Sequence, residues 1–387
     1  PLGYEKLDIE LEGPSSLHYL LANGLSSAEI YGEGDLTVGS GLKGLSSFSS
    51  IDLNGSIVAS ITDYEGFSEN GLVGSSLGTD IDLGSSADNF YFVDKADANA
   101  LNRVNLGPGD DKLNYIISTH SQNFINGDLG NDSIKLNGEK LTLNDTINGG
   151  EGSDKVIIEQ SHDNLLNLSE TEILILKNIA SGKNTVNSAD DELSVIMETG
   201  KNGMPSDFSI LGLPSLSNIS VSNAVSETAG LGNILINYKE LEPIDTILIN
   251  TIKDFGDFLT ENIGDVTINF AEPVRMTESD FKFNGATEVE INADESFKTR
   301  DFVGDTSASV NSLEKLFITG LRDVSLGSTV NTDKLKTINL NAYNDLIASN
   351  LGAGNLSNIT LTSEQGDLKI SKIDVTNSDD IATVNLT

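Results

Sequence analysis

One short pattern recurs along the chain with a step near 21 residues, and a repeat has to be resolved before any domain is drawn. It is an apolar residue, one residue, then a second apolar residue, set among Asn, Asp, Ser and Thr. In the C-terminal half another apolar residue often lies three positions earlier. Leu313-x-x-Leu316-x-Ile318 matches Leu335-x-x-Ile338-x-Leu340, Leu356-x-x-Ile359-x-Leu361 and Ile381-x-x-Val384-x-Leu386. With Val266-x-Ile268 and Val289-x-Ile291 ahead of them, the steps between dyads are 23, 27, 22, 21 and 25. In the N-terminal half Ile9, Ile30 and Ile51 are 21 apart, and Ile81 follows after 30. Phe90, Leu113, Ile134 and Val156 then step by 23, 21 and 22. Ile173-x-Ile175, Ile219-x-Val221 and Ile234-x-Ile236 continue the pattern less regularly.

Apolar residues two apart share one face of a strand. A lone strand of this kind cannot bury that face, but coils stacked one on the next bury a continuous narrow core. The expected fold is therefore mainly β, a right-handed parallel β-solenoid with coils of about 21–22 residues. A β-sandwich is the alternative. Its strands also alternate, but they normally recur every ~8–12 residues through hairpins.

Two stretches carry helical spacing. Ile244, Ile247, Leu248, Ile252, Phe255, Phe258 and Leu259 fall near i, i+3, i+4 and i+7, which predicts an amphipathic helix over 244–262. A shorter helix is predicted over 188–199, with Ser188 as N-cap and Gly200 as stop. The expected organisation is an N-terminal solenoid over 4–180, an irregular junction or helical insertion over 181–264, and further solenoid repeats over 265–387. Pro1-Leu2-Gly3 has the look of a cleaved-tag remnant, and the last residues read as mid-strand, so a fragment of a longer protein is expected.

Charge narrows the functional classes. There are 59 acidic and 23 basic residues, 59 − 23 = 36 excess negative charges, so binding to phosphate-rich nucleic acid is not expected. With no Cys there are no disulfides, thiolate metal sites or thiol catalysis. No apolar run approaches the ~18 residues of a membrane helix, so no membrane insertion is expected. An apolar content of 37% is too high for a disordered acidic chain. The chain contains no HExxH, GxSxG or P-loop motif, and His18, His120 and His162 stand alone. No enzymatic activity is expected, although an acidic pair serving a polysaccharide-active β-helix enzyme stays open. Hydrated cations are the natural counterions, because Asp-rich, Gly-rich turns supply hard oxygen ligands.

Three segments resemble one another more closely than the general repeat. They are Leu106-Gly107-Pro108-Gly109-Asp110-Asp111-Lys112-Leu113, Gly127-Asp128-Leu129-Gly130-Asn131-Asp132-Ser133-Ile134 and Gly149-Gly150-Glu151-Gly152-Ser153-Asp154-Lys155-Val156. The third fits the nonapeptide pattern G-G-x-G-x-D-x-U in full. A weaker fourth copy ends at Asp88, before Asn89 and Phe90. Over about 84–160 the chain thus resembles the RTX family of calcium-binding repeats. That resemblance implies Ca²⁺ held between successive coils by carboxylates of Asp111, Asp132, Asp154 and, in the weaker copy, Asp88. It implies carbonyl ligands from Gly107, Gly109, Gly130, Gly150 and Gly152. Asp128, which replaces a glycine, either contributes a ligand or spoils its turn. The closing Asp residues are 23, 21 and 22 apart, unlike the nine-residue step of ordinary RTX β-rolls, so each coil would carry one such turn.

The combination of no Cys, a strongly acidic balance and Gly-x-Asp turns followed by Thr/Ser/Asn/Asp-rich strands looks like RTX-type surface-layer proteins of Gram-negative bacteria, and somewhat like large RTX adhesins. The resemblance implies type I secretion, folding on calcium outside the cell, and calcium-dependent self-assembly into a lattice at the cell surface. It also implies attachment to cell-surface polysaccharide through a region outside the fragment. A glycan-binding adhesin module is the alternative function, and a polysaccharide-active enzyme the third.

Overall fold

The computed structural model of the protein describes residues 5–17, 25–38, 40–59, 71–97, 100–117, 121–138, 141–159, 164–177, 182–190, 193–199, 208–213, 218–223, 234–242, 247–250, 258–263, 266–270, 274–284, 286–303, 313–330, 334–352, 355–374 and 383–386. All regular elements among them are strands, and every strand pairing is parallel. Each coil contributes a strand to each of two sheets, and each strand pairs with its counterpart one coil away. This is a parallel β-solenoid with coils about 22 residues apart. The chain divides into two compact units, one of Pro1–Lys177 with Val186–Asp190, the other of Asn178–Thr185 with Asp191–Thr387.

In the first unit, one sheet runs through Lys6–Leu11, Ser27–Gly32, Ser47–Ser49, Asp80–Asp82, Leu101–Asn105, Gln122–Asn126, Thr146–Asn148 and Asn164–Ser169. The other contains Asn89–Val93, Lys112–Ile117, Ser133–Gly138, Lys155–Ile158 and Ile173–Lys177. The register places Phe90 on Leu113, Leu113 on Ile134, and Ile134 on Val156. All four are buried, so the period read from the sequence is the period of the core. Tilted ring pairs join it, with Phe48 against Phe90 at 5.4 Å and Phe92 against Tyr115 at 4.9 Å.

The second unit repeats this scheme. Val289, Leu316, Ile338 and Ile359 form one inward column, and Ile291, Ile318, Leu340 and Leu361 the next, all fully buried. Phe270, Phe281, Phe283, Phe297 and Phe302 fill the wider coils, with neighbouring centroids 5.1 to 6.1 Å apart.

Several expectations need correction. No helix forms among the described residues of 188–199. Leu193, Val195 and Met197 are buried alternately, and the strand Ser194–Thr199 pairs with Asn218–Asn223. Period two prevails because packing on the neighbouring coil buries these alternate apolar residues, and that tertiary context overrides local helical spacing. The helix expected over 244–262 is also absent among the described residues. Ile247–Asn250 pairs with Asn218–Asn223 and Val266–Phe270, and Phe258–Ile263 pairs with Ile234–Glu242 and Val274–Asn284. Two strands in successive parts of a coil placed their apolar residues at offsets that imitate a helical face. The rest of that segment, 244–246 and 251–257, lies outside the described residues. The stretch expected as an insertion therefore supplies ordinary coil strands.

Two dyads were also misplaced. Ile51 is 63% exposed in a turn, because Phe48 takes the inward position paired with Ala28. Around Ile173-x-Ile175 the residues in register with Val156 and Ile158 are Leu174 and Leu176.

Leu340 lies inside a column of buried aliphatics and is itself fully buried. Leu340→Ala should cost about 2–5 kcal/mol, the range for a buried leucine whose site cannot collapse. Urea unfolding monitored by circular dichroism measures it.

Candidate functional site: a column of buried aspartates

The turns that close the Gly-x-Asp segments lie directly before the strands Asn89–Val93, Lys112–Ile117, Ser133–Gly138 and Lys155–Ile158. Parallel pairing carries into them, since Lys112, Ser133 and Lys155 N–H donate to the carbonyls of Asp88, Asp111 and Asp132. The four aspartates thus stack one per coil. All are buried, at 3, 1, 2 and 0% exposure for Asp88, Asp111, Asp132 and Asp154.

Their carboxylates form a ladder. The N–H of Asp88 donates to Oδ1 of Asp111 at 2.6 Å, that of Asp111 to Asp132 at 2.8 Å, and that of Asp132 to Asp154 at 2.7 Å. Ile57 N–H donates to Asp88 Oδ1 at one end. At the other end Asp154 N–H donates to Oε2 of Glu172 at 2.6 Å. Each Oδ1 therefore answers a backbone donor that the sheet leaves over. The second oxygen, Oδ2, of all four aspartates is buried with no hydrogen-bond partner.

A buried carboxylate oxygen without a donor is costly as an anion. Burial accordingly pushes Asp88 up to about 6, Asp111 to about 8 and Asp132 to about 7, and Asp154 upward. Neighbouring carboxylates add to this, Asp88, Asp132 and Asp110 acting on Asp111, and Asp154, Asp110 and Asp128 on Asp132. The ladder N–H groups pull the other way.

The glycines are required by the stacking of the turns. A methyl group on Gly130 would sit 1.6 Å from the Gly109 carbonyl oxygen, and one on Gly152 1.6 Å from that of Gly130. Gly107 and Gly150 have φ of 77° and 105°, where L side chains are strained. Asp128 stands at the same turn position with φ 79°, a conformation Asp tolerates better than most residues. It completes its turn and does not spoil it. Gly127 and Gly149 were not singled out as site residues. Their missing side chains make room for the orphan oxygens, Asp132 Oδ2 lying 2.4 Å from a methyl position on Gly127 and Asp154 Oδ2 2.9 Å from one on Gly149. Their signal was the leading Gly of the repeat. Glu172 carried no signal, because its turn lacks the glycines.

This arrangement suits a hard divalent cation. Such an ion would accept the Oδ2 atoms and complete its shell with the turn carbonyls, and the donor set is all oxygen. Among the described residues no three His, Cys, Asp or Glu come together to hold a metal by themselves. With one carboxylate per coil, any cation at this column would need backbone carbonyls for its remaining ligands.

A second buried polar ladder lies elsewhere in the same coils. Asn102 Nδ2 donates to Asn123 Oδ1 at 3.0 Å, and Asn123 Nδ2 to Asp145 Oδ1 at 2.7 Å. Asp145 Oδ2 accepts from the Thr142 N–H and hydroxyl, so both its oxygens are satisfied and the ladder is structural. The three histidines lie outside the described residues. No helix among the described residues is long and apolar enough to cross a membrane. Comparisons with protein-family models, with curated proteins and with solved structures gave no match.

Two outcomes are expected. Gly130→Ala should destabilise the protein by well over the ~1 kcal/mol typical of a point substitution, read as a lower urea midpoint. The cation-free protein should lose stability as pH rises from about 5 to about 8. The folded carboxyls bind protons more tightly than the unfolded ones, so their contribution is complete near pH 4 and is lost through their raised folded values. Melts in chelator across that window measure the slope, and a rising midpoint would contradict it.

Proposed function

We propose that this chain is a calcium-stabilised structural solenoid of the bacterial cell surface, a segment of an RTX-type surface-layer protein that assembles with copies of itself. The observation that carries the reading is the column of four buried aspartates, each with one oxygen committed to the backbone and one without a partner. For the ladder alone asparagine would serve as well as aspartate, without the cost of a buried charge. Retaining Asp at Asp111, Asp132 and Asp154 makes sense where a cation occupies the other oxygen. The cations would sit between successive coils, with Asp88 and Asp128 at the margin of the set.

Calcium is scarce in the cytosol and abundant outside, so the chain stays loose during export and compacts on arrival. The net charge of −36 acts in the same direction, since self-repulsion opposes compaction until counterions arrive. Zero Cys fits a scaffold held by metal and not by disulfides.

Melting with millimolar calcium against chelator tests the cation. Calcium at a hundredfold its dissociation constant should add about 2.7 kcal/mol per independent site. Asp132→Asn keeps an acceptor for the Asp111 N–H and removes the buried charge. It should raise the chelator midpoint and shrink the calcium gain. A native midpoint indifferent to calcium sinks the reading.

A further inference from the structure

The aspartate column ends on a turn of a different kind. Residues 149–154 join Thr146–Asn148 to Lys155–Ile158, but only 170–172 join Asn164–Ser169 to Ile173–Lys177. Asn148 lies beside Ser169 and Lys155 beside Ile173, so both turns start and finish in register. The short turn, Glu170-Thr171-Glu172, contains neither glycine nor aspartate. Glu172 stands where the register places Asp154, and its longer side chain reaches back to accept the Asp154 N–H at 2.6 Å. Glu170 is held at φ 48°. Among the described residues other than glycine, only Asp128 and Glu170 have positive φ, and Glu suits it less well than Asp.

Two oxygens converge at the head of this turn. A methyl position on Gly149 lies 1.9 Å from the Glu170 carbonyl oxygen and 2.9 Å from Asp154 Oδ2. Asp154 is fully buried, and that oxygen has no hydrogen-bond partner. The Glu170 carbonyl accepts the Gly150 N–H at 3.1 Å, which uses one of its two lone pairs. One coil back the arrangement is the same, a methyl position on Gly127 lying 1.9 Å from the Gly149 carbonyl oxygen and 2.4 Å from Asp132 Oδ2. In both places an orphan carboxylate oxygen of one coil faces a carbonyl of the next. Asp154 therefore faces the glycine-free turn as Asp132 faces a glycine motif. Burial first, then the charges of Glu172 and Glu170, raise the proton affinity of Asp154, so both glutamates act on that space. Both are exposed residues.

We infer that a last divalent-cation site lies beyond the final glycine motif, formed by Asp154 Oδ2 and the Glu170 carbonyl and closed by the carboxylates of Glu170 and Glu172. It rests on the cation reading of the column proposed above. The left-handed residue lets a three-residue turn close while its carbonyl faces Asp154. Exposed glutamates leave this site open to water and its charged ligands less rigid than the motif turns, so it is the weakest of the column. It fills last as calcium rises and empties first as calcium falls.

Equilibrium dialysis of the 387-residue protein against calcium in physiological salt counts the ions and ranks their affinities. Glu172→Gln keeps an oxygen for the Asp154 N–H and removes one charge. Glu170→Asn removes the other charge and suits the left-handed conformation. Each should weaken the weakest ion roughly tenfold and leave the tighter ions unchanged. In chelator each should melt at or above the native protein, because a charge that repels Asp154 is gone. Glu151→Gln, at an exposed glutamate of the preceding turn, controls for net charge and should bind as the native protein does. Variants at Glu170 and Glu172 that bind every ion as tightly as the native protein overturn the inference and leave the column reading standing. An equal loss in Glu151→Gln overturns it too, because the effect is then one of general charge. A native protein that binds no calcium ends the column reading and this site with it.

Discussion

Parallel hydrogen bonding from coil to coil sets each residue directly over its counterpart about 22 residues earlier, and most of this structure follows from that constraint. Aliphatic residues placed over aliphatic residues give continuous columns, as with Val289, Leu316, Ile338 and Ile359. Amides over amides give side-chain ladders, as with Asn105, Asn126 and Asn148 on an outer face. The same rule forces a buried charge to lie over a buried charge. A globular fold could surround one buried carboxylate with varied donors, but a solenoid repeats whatever environment it has.

The aspartate column answers this constraint in two parts. Oδ1 of Asp111, Asp132 and Asp154 takes the N–H of the preceding aspartate in the column, and Oδ1 of Asp88 that of Ile57. Oδ2 of all four is buried without a donor, and those of Asp132 and Asp154 face the glycine positions Gly127 and Gly149. Stacked anions in that position need either protons or cations. The raised proton affinities and the proposed calcium are two expressions of one electrostatic demand. The buried ladder of Asn102, Asn123 and Asp145 shows the contrasting case, in which donors match acceptors and no ion is called for.

The amino-acid sequence by itself determined the solenoid, its period and the stacked Gly-x-Asp turns. Each of these is a periodic property, and periodicity survives in one dimension. It also placed Asp88, Asp111, Asp132 and Asp154 in step with the core. Only the tertiary structure decided what is not periodic. It turned 188–199 and parts of 244–262 into strands, because neighbouring coils supplied hydrogen bonds that local helical spacing could not foresee. It put Ile51 outside and Phe48 inside, because one coil is a residue shorter. It recruited Glu172 to end the column from a turn with no recognisable motif. It also separated the two oxygens of each aspartate into one bonded and one orphaned, a distinction of ångströms that residue identity cannot carry.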